Sequence, residues 1–291
     1  MKQTSPPADR SAKAAARQAP ERVSRVVAVR EWMLDQQWPV ALTFTSVVVA
    51  VWQLVVDAGA LPAYLLSPWA ILAETYGMLE SGELLPLVEV SMKREFSGFL
   101  LGAGLGVFAG LVAGVARWTG DVIDGAVSLL YPVPKIALLP IFAIWLGFSD
   151  TTRILVIALA CFFPAYLNAQ SATRSVDPHV VAVARNAESG KLRTIFQVLL
   201  PAALPRILVG VRTALALSFI MMFATEVIGA GAGAQAGLGG RTFAAGTNGD
   251  YDVLWAALLT IAVLGVTLDT TLRVLSARVT RGAAKEMASH G

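Results

Sequence analysis

The sequence predicts an all-α polytopic membrane protein with about six transmembrane helices and a polar, helix-prone cytoplasmic segment between the fourth and fifth. Three observations carry this. The chain is 56% hydrophobic and 15% charged, with a mean hydropathy of +0.64, whereas a soluble domain is roughly a quarter charged. The apolar residues gather in runs at 40–56, 96–116, 123–147, 154–169, 207–230 and 253–272, close to the ~20 residues of helix that cross about 30 Å of hydrocarbon; a β-barrel would instead show short alternating segments. Finally, of the 23 Lys and Arg, seven precede residue 31 and eleven more lie around 117, 174–212 and 273–285. All of these share one side if six helices alternate, and basic residues are retained on the cytoplasmic side. Both termini are therefore expected in the cytoplasm. The net charge of +3 follows from this topology and is no nucleic-acid signal.

Residues 1–38, rich in Ala, Pro, Arg and Ser, read as a basic disordered tail without a cleavable signal peptide. The transmembrane domain is expected over 39–273, with a cytoplasmic tail over 274–291. Between the first two spans, "SPWAILAETYGMLESGELLP" reads as a short amphipathic helix at the outer surface. In the second span Gly98, Gly102, Gly106, Gly110 and Gly114 recur every fourth residue. They form a stripe without side chains along which another helix approaches closely, either within the bundle or at a dimer seam.

The third span carries Pro132, Pro134 and Pro140 and is expected to be broken or kinked. Pro164 suggests a kink in the fourth span, and Cys161 there reads as a small core residue. Two charges fall inside spans and are pathway candidates. Lys135 either attracts an anion or pairs with Asp124 or a backbone carbonyl. Glu226 either faces a pathway, snorkels to the outer interface or pairs with Arg241. Asp269 and Arg273 are spaced for an i,i+4 ion pair.

The segment 177–200 starts with Asp177 as N-cap and Pro178 in the first helical turn, breaks at Ser189-Gly190, and resumes with Leu192, Ile195, Phe196, Leu199 and Leu200 on one face. Pro201 and Pro205 are expected to end this second helix. Such a helix–break–helix is placed for another protein to grip or to lie on lipid headgroups. The stretch 229–250, "GAGAGAQAGLGGRTFAAGTNGD", reads as a Gly-rich loop without a phosphate-binding pattern. With two histidines, His179 and His290, and one cysteine, neither a metal site nor a catalytic constellation is expected.

"VDPHVVAVARNAESGKLRTIFQVLLPAALPRILVGVRTAL", together with "SPWAILAE", "YPVPKIALLPIFAIWLGFSD", "FFPAYLNA" and "ATEVIGA", resembles the permeases of binding-protein-dependent ABC importers. The similarity is greatest to the subfamily for sulfonates, taurine, nitrate and related small anions. It implies the type I importer permease fold in a bacterial inner membrane. The partners it implies are a cytosolic ATPase dimer, a second and identical permease chain, and a periplasmic or lipid-anchored binding protein. ATP and Mg would be bound by the ATPases, with no cofactor on this chain. The resemblance makes 177–200 the coupling element, whose E-A-A triplet falls on Ala182, Val183 and Ala184 and whose glycine falls on Glu188. Arg185 matches the pattern, Ala182 and Glu188 depart from it, and Gly190 offers a hinge two residues later. An autonomous secondary transporter or channel would instead show inverted repeats and several buried ionisable residues, neither of which is clear in the sequence. A non-transporting membrane scaffold is the other alternative.

Overall fold

The computed structural model describes residues 37–62, 64–176, 195–231 and 236–289. The tail before residue 37, the coupling residues Asp177, Pro178, Ala182, Val183, Ala184, Arg185, Glu188 and Gly190, and His179 and His290 lie outside the described residues. The chain divides into two compact units, 1–68 and 69–291. The first contains α1 (Gln37–Asp57), whose run of Val and Leu suits a membrane span and whose last turn is closed by Gln53 donating to Asp57 at 3.0 Å.

The second unit begins one residue into α2 (Pro68–Glu80), which has proline in its first turn and buries Ile71 and Met78, in keeping with an amphipathic helix. Next, α3 (Leu84–Val115) starts twelve residues before the expected run at 96. Its charged first part, with Glu89, Lys93, Arg94 and Glu95, is helix as well. Glu89 and Lys93 pair at 2.6 Å on the exposed face, while Arg94 and Glu95 are buried.

The third span is broken, as its prolines imply. α4 (Arg117–Leu130) meets a 3₁₀ turn (Lys135–Leu138) and α5 (Leu139–Leu146), and the two arms are bent by 84°. The Leu130 carbonyl would normally bond the amide of residue 134, which is proline and has no N–H. α5 ends at Gly147, whose φ of 72° is the left-handed conformation that glycine adopts without strain.

Ser149 then caps α6 (Asp150–Arg174), accepting from the Thr152 amide at 3.3 Å. This helix runs through Pro164. A π-turn (Ile195–Leu199) leads directly into α7 (Leu200–Ile228), so Pro201 and Pro205 do not end the helix. The first lies in the opening turn of α7, and the preceding π-turn is the kind of local adjustment that accommodates a missing amide donor. The expected Gly-rich loop contains α8 (Leu238–Asn248), followed by α9 (Tyr251–Ser289), which continues helically into the expected C-terminal tail as far as Ser289. Among the described residues there are five helices long and apolar enough to cross a membrane, and six spans if the bent pair counts as one.

The most extensive packing is α3 along α6, followed by α6 against α7. Phe99, Ala103, Ile157, Cys161, Ala214, Leu215 and Met222 form the core between these three helices. A second cluster of Met78, Leu84, Leu238 and Ala256 joins α2, α3, α8 and α9.

Candidate functional site

The glycine stripe makes the α3–α6 approach possible. A Cβ on Gly102 would lie 2.0 Å from the Ala158 carbonyl oxygen, on Gly106 2.4 Å from that of Phe162, and on Gly110 2.5 Å from that of Tyr166. A Cβ on Gly98 or Gly114 would lie 2.5 or 2.4 Å from the side chain of Ile157 or Thr173. All five positions thus meet α6 of the same chain, with backbone against backbone along the middle of the stripe.

One helical turn beyond Gly98, the same face of α3 continues into Glu95 and Ser91, and Arg94 flanks it. Here a buried polar network ties four helices together. Arg94, 1% exposed, donates to Glu226 Oε1 at 2.7 Å and, through Nε at 2.8 Å and Nη2 at 2.7 Å, to Asp150 Oδ1. Arg153 reaches Asp150 at 3.4 Å and the Gly229 carbonyl at 3.3 Å.

Glu226 is not paired with Arg241 and does not reach the surface. It is 1% exposed and accepts from Ser91 at 2.9 Å, Arg94, and the Gly239 amide at 2.8 Å. Arg241 binds Glu83 at 2.8 Å instead. The physical reason is α8: its free N-terminal amides attract a carboxylate, and the Leu238 amide is taken by Ser91 at 2.8 Å. A Cβ on Gly237 would lie 2.2 Å from Glu226 Oε1, so glycine is what lets the chain pass the carboxylate there.

Glu95 lies next to this network, bonded to Ser218 through one oxygen and without a partner for the other; the Arg153 Nε is likewise unpartnered. Among the described residues, four Arg and Glu side chains, Arg94, Glu95, Arg153 and Glu226, are therefore buried, more than the sequence indicated. Of the network, Asp150 alone is widely open to solvent, with 55% of its side chain exposed.

At the opposite end of α6, Asp124 on α4 accepts from Tyr166, Gln170 and Arg174, the last at 3.1 Å. Lys135 consequently does not pair with Asp124. Its ammonium donates to the Leu130 carbonyl at 3.4 Å and to that of Tyr131, and sits 4.2 Å over the Phe163 ring and 5.1 Å over Tyr131. On α7 and α9, Arg212 meets Asp269 at 2.6 Å, and the expected Arg273–Asp269 pair is present at 2.8 Å. Among the described residues no group of His, Cys, Asp and Glu is arranged to hold a metal ion.

Residues 102–281 match the family model described as the binding-protein-dependent transport system inner membrane component. The chain belongs to this permease family. It is 34% identical over 243 residues, 83% of this chain and 87% of the other, to a Bacillus subtilis protein named as an aliphatic sulfonates transport permease, SsuC. It is 33% identical to the Escherichia coli protein of the same name, over 85% of this chain and 92% of that one. To the Escherichia coli taurine transport system permease TauC it is 28% identical over 86% of this chain and 91% of that one. A chain from the crystal structure of an amino acid ABC transporter superposes with a TM-score of 0.54 at 16% identity, covering 71% of this chain and 97% of that one, and shares its fold. For this family member, the glycine seam, the network around Arg94 and the broken third span are the features that order the permease helices.

Of the residues singled out from sequence, the five glycines line one seam, Glu226 joins the polar network, and Lys135 stands apart at the break. Ser91, Arg94, Asp150, Arg153, Gly237 and Gly239 went unnoticed. The signal for Ser91 and Glu95 was present, since they continue the glycine face at spacings of three and four.

Proposed function

We propose that the chain is the membrane-spanning subunit of an ATP-driven importer for small organic sulfonates, with taurine-like molecules in range. The observation that carries this is the 34% identity to a protein named as an aliphatic sulfonates permease across 83% of the chain, joined by the taurine permease relative. In this reading two copies form the pathway in an inner membrane, with both termini in the cytoplasm and a binding protein delivering the anion. Cytosolic ATPases bind ATP and Mg and carry out hydrolysis; this chain holds no cofactor. Residues 177–200 transmit ATPase closure to α6 and α7, which they join in sequence. A coupling contact can drive the switch only if the two ATPase states hold it differently.

The buried ionisable residues are the feature that would suit an ATP-independent transporter. Their placement favours helix tying instead, since Arg94 and Glu226 saturate each other and the α8 N-terminus.

The test is co-purification with the host's candidate ATPases and uptake of ethanesulfonate and taurine into proteoliposomes. Wild type is expected to hold an ATPase and import only with ATP, while Arg185→Glu or Gly190→Leu releases the ATPase or uncouples hydrolysis. Import without ATP, or failure to capture any ATPase, overturns the reading.

A further inference from the structure

Five basic side chains among the described residues are not fully exposed: Arg94, Lys135, Arg153, Arg212 and Arg241. Four of them have a carboxylate within ion-pair distance. Lys135 has none. Its surroundings are two carbonyls and two aromatic faces at the 84° break in the third span. An ammonium has three donors, and only two are used here. A cation held within a membrane-spanning segment without a counter-charge is costly, and in transporters the discontinuous helix is where ion and substrate sites form.

We propose that Lys135 is the anion contact of the translocation pathway, taking a sulfonate oxygen on its free donor while the Tyr131 and Phe163 rings border the organic portion. This rests on the substrate class given under Proposed function. The carbonyl bonds keep the ammonium at the break, where the Leu130 carbonyl, whose usual helical partner would be residue 134, a proline, accepts from the Val133 amide at 3.2 Å and from Lys135. A purely structural lysine would need only those carbonyl bonds. Glutamine can make at least one of them without the charge, and arginine retains the charge.

The complete importer, reconstituted in phosphatidylcholine nanodiscs, is the material for the test. Millimolar ethanesulfonate is expected to raise the unfolding temperature of wild type and Lys135→Arg, and to leave Lys135→Gln unmoved. Ethanesulfonamide, the uncharged analogue, should do nothing in any of them. In sealed phosphatidylcholine proteoliposomes, ATP-driven ethanesulfonate import by Lys135→Gln should fall about tenfold, the scale of one lost charged hydrogen bond, with ATPase binding intact. A Lys135→Gln importer that keeps both the shift and the import rate overturns the proposal and leaves the lysine as a support for the break. If phosphatidylglycerol in the nanodisc abolishes the wild-type shift, the site belongs to lipid headgroups and the substrate assignment falls. A wild-type complex that binds its ATPase but imports no sulfonate sinks the substrate class itself. An unaffected Lys135→Gln beside a working wild type sinks only the role of this residue.

Discussion

Arg94 on α3 and Glu226 on α7 meet at 2.7 Å, each 1% exposed, although 132 residues separate them in sequence. Removing one member of a buried pair leaves an uncompensated charge, which costs about 3–5 kcal/mol. Arg94→Met is therefore expected to lower the unfolding temperature of the purified protein sharply. The double variant Arg94→Met/Glu226→Leu should recover part of that loss, because Glu226 is then no longer a buried charge without its cation, while the Gly239 amide still lacks its acceptor. A double-mutant cycle with no coupling between the two positions would contradict this.

The glycine seam carries its own control. Gly102→Ala drives a Cβ into a backbone carbonyl at 2.0 Å, whereas Gly104 in the same helix faces nothing within 4 Å. Gly102→Ala should cost about 1–3 kcal/mol or more by overpacking. Gly104→Ala should be neutral or stabilise by up to about 1 kcal/mol, the backbone-entropy gain of replacing glycine in a helix. Comparing the thermal stabilities of the two variants checks this.

Gly237→Ala places a methyl group 2.2 Å from Glu226 Oε1. Because Ser91, Arg94 and the Gly239 amide hold that carboxylate, it has nowhere to retreat. The expected result is displacement of the start of α8, seen as faster hydrogen exchange of the Leu238 and Gly239 amides.

Asp124→Ala deprives Tyr166, Gln170 and Arg174 of their shared acceptor and cuts the polar tie between α4 and α6. Hydrogen exchange should rise across α4 and stay unchanged across α3, whose seam with α6 is made by glycine packing. Equal loosening of both helices would refute that division.

The apolar runs, the glycine stripe and the proline break were legible because each is a local pattern that dictates local geometry. The start of α3 was not, since Glu89, Lys93, Arg94 and Glu95 resemble loop composition until the partners of Arg94 are known. The helix α8 was hidden for the same reason. Glycine has poor helix propensity, and the contacts that anchor the α8 N-terminus come from Ser91 and Glu226, 147 and 13 residues away. The ends of the helix at Pro201 and Pro205 were misjudged because a π-turn, which no residue pattern announces, precedes them. Only long-range partners distinguish a surface carboxylate from the buried Glu226.

Backbone contact along the middle of the glycine seam, from Gly102 to Gly110, leaves no side-chain layer there between α3 and α6 that could slide or repack. Close-packed interfaces of this kind exist in discrete arrangements and do not deform continuously. The pair therefore behaves as one beam, and the joints of the subunit lie at its margins: the 84° elbow at residues 131–134 and the π-turn ahead of α7. Any change of shape that moves cargo through this protein has to be expressed at those joints, with the beam carried along whole.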